Sequence, residues 1–171
     1  MNFIEQMTRS TTAVNTFMQL VDDVRQRIDE IFPWDLHTML QQPNPPLLLD
    51  VREPGEFAAA RIAGSLNVPR GILESACEFG YAETVPELAR ARTRPVVVIC
   101  RSGNRSVLAA HTMQLLGYTQ VMSLKTGVKG WNDFELDLVD RHNNNVHVDA
   151  ADELLAPVLK PEQHLINPQH D

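Results

Sequence analysis

The stretch that most constrains this chain is PVVVICRSGNRS at residues 95–106, a β-branched run opened by a proline and broken by a polar loop whose first residue is cysteine. A continuous apolar run between turn signals predicts a strand buried on both faces, as in a parallel sheet covered by helices. After the loop, Leu108, Ala109, Met113, Leu115 and Leu116 fall at helical spacing, and the pattern from Ser106 to Leu116 stops at Gly117, a residue type that closes helices. Strand, loop and helix in this order put the loop at the C-terminal edge of the sheet, where open α/β folds keep their ligand crevices.

The surrounding segments extend the same plan. LLLD at 47–50, delivered by the breaker cluster PNPP, reads as a second short buried strand, and Gln120–Leu124 as a third. Trp34–Gln42 and Val85–Arg92 read as short helical segments between them. Strands alternating with helices predict an α/β domain with a mainly parallel sheet. Ahead of it, Val14, Phe17, Met18, Val21, Val24, Ile28 and Ile31 fall on one helical face, so an amphipathic helix is expected over Val14–Phe32, capped by Ser10, Thr11 or Thr12 and closed by Pro33. Its apolar stripe needs a burial partner, either this chain's own core or a second copy in a homodimer.

Composition matters mainly for what it excludes. With 171 residues, 43% of them hydrophobic, the chain can build one well-buried core. Net charge is -7, and residues 133–171 supply all of it: they hold 9 Asp/Glu against 2 Lys/Arg, whereas residues 1–132 hold 13 of each. No basic stripe forms, which argues against a nucleic-acid partner. Residues 137–171 are accordingly expected to be a polar, acidic, loosely ordered extension, within which DELLAPVL can form a short docking helix. The organisation read from sequence is thus a helical extension over 1–33, an α/β domain over 34–136 and the acidic extension over 137–171.

Cys77 and Cys100 are the only cysteines, far apart and without CxxC spacing, which argues against a disulfide framework and a structural zinc site. His142, His147, His164 and His170 offer no helical ligand pair, and no glycine-rich nucleotide loop is present, so neither metal nor cofactor is expected. No stretch approaches the ~20 apolar residues of a membrane span, and the first residues lack a signal-like run; a cytoplasmic protein is expected.

The chemistry concentrates in Cys100, Arg101, Ser102, Gly103, Asn104, Arg105 and Ser106. A loop between a buried strand and a helix can turn backbone N–H groups inward as an anion nest, and the helix dipole adds positive potential there. A cysteine so placed, with two arginines beside it, is expected to favour the thiolate and act as nucleophile. Cys77, in GILESACEFGY, has no comparable company and reads as a buried structural residue.

Four blocks, DVREPGEF at 50–57, RIAGSLNVP at 61–69, VVVICRSGNRS at 96–106 and LKTGVKGW at 124–131, occur in the order and spacing of a single-domain rhodanese, and over roughly residues 34–136 the chain resembles that family. The resemblance implies a rhodanese-like fold with a five-stranded parallel sheet between helices. It also implies sulfur transfer: the Cys100 thiolate takes sulfane sulfur from a small anionic donor such as thiosulfate, or from a persulfide, and passes it to a thiol, protein or cyanide acceptor. Arg101 and Arg105 would be the loop cations, with Ser102, Gly103, Asn104 and Ser106 completing the cradle through backbone amides. Asp50 and Arg52 would form a charge pair steadying the neighbouring loops, and Trp131 would pack behind the active loop. Departures from the family's pattern are Arg61 and Ala63 in the second block and Thr126-Gly127 in place of a Gly-Gly pair.

Two other readings compete. A rhodanese-related phosphatase or arsenate reductase would place five residues between its cysteine and arginine, whereas only four separate Cys100 from Arg105. A relay, sensor or interaction module without small-molecule turnover would keep the persulfide chemistry, or lose it, while docking protein partners.

Overall fold

The computed structural model describes residues 16–164. Helix α1 spans Phe17–Arg25 and is capped by Thr16, whose hydroxyl accepts from Gln19 N while the Gln19 side chain accepts from Thr16 N. Strand β1 (Asp29–Ile31) and helix α2 (Pro33–Leu40) follow, then β2 (Leu47–Asp50), α3 (Pro54–Ala59) and β3 (Leu66–Asn67). Helices α4 (Leu73–Ala76) and α5 (Pro86–Ala89) lead into β4 (Val96–Ile99), α6 (Asn104–Leu115), β5 (Val121–Leu124) and α7 (Gly127–Asp133). A two-stranded antiparallel ribbon of β6 (Leu138–Val139) and β7 (Asn145–Val146) precedes α8 (Val148–Leu155).

The five main strands form a wholly parallel sheet in the order β1-β5-β4-β2-β3, flanked by helices on both faces. The β-branched run is its central strand. Val96 and Val98 face a core with Val21 and Val24 of α1, Leu88 of α5, and Val107, Ala110 and Met113 of α6. Val97 and Ile99 face the other core, with Leu36 of α2, Val128 and Trp131 of α7 and Leu155 of α8. Every residue of β4 is fully buried, and at about 1.5–3 kcal/mol per buried Val or Ile side chain the strand anchors both layers. Helix α6 ends where the sequence places Gly117: Tyr118 N donates to Met113 O and Gly117 N to Gln114 O, satisfying its last carbonyls.

Both flanks depart from the sequence-based expectation. The N-terminal helix stops at Arg25, six residues before Ile31, and Asp29–Ile31 instead extends the sheet beside β5. Ile28 and Ile31 continue the helical spacing arithmetically, but a parallel strand-edge position open beside β5 outweighs the local pattern. The stripe of α1 packs on α6 of its own chain through Val21 and Val24. The residues expected to begin and cap this helix, Val14 and Ser10–Thr12, lie outside the described residues. Within the extension expected to be loosely ordered, residues 138–155 hold the β6–β7 ribbon and α8, which takes in the first part of the DELLAPVL stretch and whose Ala151 and Leu155 are buried against the second core. Asn132 of α7 ties α8 down, its side-chain amide donating to Val148 O and Asp152 Oδ1 at 3.0 and 2.8 Å. No described helix is long and apolar enough to cross a membrane.

Candidate active site

Asp50, Ile99 and Leu124 close β2, β4 and β5 at the same edge of the sheet, and the chain leaves β4 directly into Cys100. Gly103 adopts a left-handed conformation (φ +93°) at the N-terminus of α6, which turns its N–H back onto the Cys100 Sγ at 3.1 Å. The sulfur lies 3.3 Å from the hydroxyl of Ser106, one turn along α6, and that hydroxyl accepts from Ser123 Oγ of β5 at 2.8 Å. All three side chains are buried. Cys100 is thus held at a helix N-terminus by one amide and a chain of two hydroxyls, an arrangement that supplies hydrogen-bond donors to a sulfur anion inside a dry site.

The loop is fixed from behind by the start of α7. Val128 N and Lys129 N donate to the carbonyls of Cys100 and Arg101, both at 2.9 Å. Gly127 (φ +61°) makes this approach feasible, because a Cβ there would fall onto the Cys100 carbonyl oxygen and 2.5 Å from Arg101 C and O. Thr126, at the position of the departure from Gly-Gly, also adopts a left-handed conformation (φ 67°), unusual for a β-branched residue. Trp131 is buried in the second core and donates from Nε1 to Asp137 O at 3.0 Å, while the backbone of α7 meets the loop through Val128 N and Lys129 N.

The expected loop cations are engaged elsewhere. Arg101 Nη1 donates to Leu155 O at the end of α8, 2.9 Å away. Arg105 makes a two-pronged pair with Glu56 of α3, both N···O distances being 2.8 Å. The Arg105 hydrogen bonds outweigh partial burial and hold the Glu56 carboxyl below the usual carboxylate range, while Glu56 pushes the Arg105 guanidinium up. Asn104 faces α1, its Oδ1 accepting from Arg25 Nη2 at 3.2 Å and its Nδ2 donating to Met18 Sδ at 3.6 Å. Ser102 is half-buried. In place of a ring of amides, the sulfur therefore meets the Gly103 N–H and the Ser106 hydroxyl.

Asp50 and Arg52 form a charge pair, and both are fully buried. Arg52 Nε lies 3.0 Å from both carboxylate oxygens of Asp50, its Nη2 2.7 Å from Oδ2 and 2.7 Å from Ala60 O, and its backbone N 3.0 Å from Oδ1. The Asn67 amide donates to the carbonyls of Asp50 and Arg52, sealing the loop after β2. Cys77 is buried away from this loop, and burial pushes its thiol up from its ordinary value. Glu56, Asn67 and Ser123 were not legible as site residues; a lone serine inside the buried strand VMSL was the one available signal.

Residues 33–134 match the rhodanese-like domain family, which is more than half of the chain. The protein belongs to that family. An uncharacterized Escherichia coli K12 protein, YibN, is 34% identical over 93 residues, covering 54% of this chain and 60% of that protein. The thiosulfate sulfurtransferase GlpE of Tolumonas auensis is 30% identical over 86 residues, covering 49% of this chain and 70% of that protein. The chain spans about three-fifths of the length of several curated relatives it matches. Among solved structures, a Rhodopseudomonas palustris protein of unknown function, described as a possible tyrosine phosphatase, aligns with TM-score 0.63 and 26% identity, covering 73% of this chain and 95% of that one. The five-stranded parallel sheet flanked by helices is the fold of this rhodanese-like group, and the family relationship supports sulfur transfer in general.

Proposed function

We propose that this protein is a sulfurtransferase that carries sulfane sulfur as a persulfide on Cys100, taking it from thiosulfate or a thiol persulfide and delivering it to a thiol, protein or cyanide acceptor. The observation that carries the reading is the Cys100 sulfur at the N-terminus of α6, 3.1 Å from the Gly103 N–H and 3.3 Å from the Ser106 hydroxyl. In the first step the Cys100 thiolate attacks the outer sulfur of the donor. A new S–S bond forms, the donor's S–S bond breaks, and sulfite or the donor thiolate leaves with the bonding electron pair. In the second step the acceptor attacks the outer sulfur and Cys100 departs as thiolate. The Gly103 N–H, the Ser106 hydroxyl and the α6 dipole stabilise the anion at both stages.

The phosphatase reading is weaker on the same geometry. Four residues between Cys100 and Arg105, and a guanidinium already paired with Glu56, leave the loop short of donors for a tetrahedral oxyanion. Intact mass after incubation with thiosulfate, and separately with cysteine persulfide, tests the proposal. The wild type is expected to gain one sulfur that dithiothreitol removes, Cys77→Ser to retain the gain and Cys100→Ser to lose it. A wild type that gains no sulfur from either donor refutes the proposal.

A further inference from the structure

The charge arrangement around Cys100 goes beyond a general readiness for anions. Arg52 after β2, and Arg101 and Arg105 after β4, are each engaged. Arg52 is consumed by the buried Asp50, and Arg101 is turned to the Leu155 carbonyl. Arg105, on the first turn of α6, has both its terminal nitrogens taken by Glu56. Glu56 is itself pinned, because its Oε2 also accepts from Glu53 N at 3.1 Å in the capping box of α3. The pair is a fixed fork-to-fork contact, not a loose surface encounter.

An incoming thiosulfate brings two negative charges to a site where one of the two loop cations already faces a carboxylate. A thiol persulfide carries one negative charge fewer on its sulfur group. We infer that Glu56 is a specificity-determining residue, which neutralises Arg105 and thereby sets the Cys100 site toward sulfane sulfur carried on a thiol and against small dianionic donors. This rests on the reading that Cys100 accepts sulfane sulfur.

The test is single-turnover loading of Cys100 in the full chain, followed by intact mass, with thiosulfate and with cysteine persulfide as donors. Glu56→Gln is expected to raise the thiosulfate rate constant roughly tenfold, equivalent to about 1.4 kcal/mol, which is the order of a carboxylate's repulsion of a dianion across a partly solvated site. The cysteine persulfide rate should change by less than about threefold. Glu56→Asp, which keeps the charge, should leave the thiosulfate rate within about threefold of wild type, and the gain should vanish in E56Q/R105Q. An equal effect of Glu56→Gln on both donors, no effect on thiosulfate, or the same gain in Glu56→Asp overturns the inference while leaving the persulfide reading intact. No sulfur on Cys100 from either donor overturns both. Wild type alone supplies a check that needs no variant: with Arg105 neutralised, thiosulfate loading should vary little with added NaCl, whereas a steep fall would reveal an uncompensated cation and refute the assignment.

Discussion

Substituting Gly127 by alanine perturbs the active loop without touching any of its side chains. The residue sits at φ +61°, where an alanine costs about 1–2 kcal/mol, partly offset by about 0.4–1 kcal/mol from the stiffer unfolded chain. The new methyl would press on the Cys100 and Arg101 backbone, 2.5 Å from Arg101 C and O, and backbone cannot rotate aside as a flexible side chain could. Overpacking of this kind adds about 1–3 kcal/mol, so the net loss should fall between about 1 and 5 kcal/mol. Relief requires the start of α7 and the loop to separate by several tenths of an ångström, which strains the hydrogen bonds from Val128 N and Lys129 N to the Cys100 and Arg101 carbonyls. Misplacing a nucleophile by that order can cost up to about a hundredfold in rate.

Urea unfolding and single-turnover loading of Cys100 measure the two consequences separately. Gly55→Ala is the matched control, because a methyl there meets nothing within 4 Å and lies inside α3, where alanine should stabilise by about 0.5–1 kcal/mol. A Gly127→Ala variant that loses less than about 1 kcal/mol and loads at the wild-type rate would refute the idea that α7 braces the loop through its backbone.

Three further outcomes are expected. Arg52→Met should cost about 3–5 kcal/mol in urea unfolding by stranding the buried Asp50, while D50L/R52M should cost less than Arg52→Met alone; equal costs would show that the ion pair itself is not the source. Thr126→Gly should stabilise by about 1 kcal/mol, raising Tm by roughly 2–4 °C in a thermal melt, because it relieves a β-branched residue held at φ 67°; a lower Tm would show that the Thr126 side chain contributes more than its backbone costs. Burial raises the Cys77 thiol above its ordinary value near 9, so the unfolded chain loses its proton first; stability is full below about pH 9 and falls as pH rises further. Cys77→Ala should flatten that alkaline slope in urea midpoints taken across the range, and an unchanged slope would contradict the sign.

Sequence reached those parts of the molecule whose cause is local. The β-branched run, its proline and Gly117 define β4 and α6 because burial, backbone restriction and helix closure each act over a few residues. The position of Cys100 at the end of β4 followed from that order of elements. What stayed hidden depends on contacts between distant positions. Glu56 meets Arg105 across 49 residues, Arg101 meets Leu155 across 54, and Arg25 meets Asn104 across 79. Strand β1 was hidden for a related reason: Ile28 and Ile31 satisfy helical spacing, and only pairing with β5 decides otherwise. For α8, the DELLAPVL stretch allowed a docking helix, but its earlier start at Val148 and its seat on α7 depend on contacts the local pattern does not encode.

These long-range contacts bear on the site itself. The sheet sets where Cys100 emerges, but the segments on either side of the family match each grip one loop residue: α1 holds Asn104 through Arg25, and α8 holds Arg101 through the Leu155 carbonyl. A single hydrogen bond of this kind is worth only about 0.5–1.5 kcal/mol, too little to account for the fold. It is enough to shift a loop between alternative side-chain arrangements several-fold. With Glu56 holding Arg105 as well, the loop side chains Asn104, Arg101 and Arg105 are each held by a different element. The electrostatic character of the site therefore depends on α1, α3 and α8 together, and a chain with the same loop but different flanks can share the nucleophile while differing in the donors it accepts.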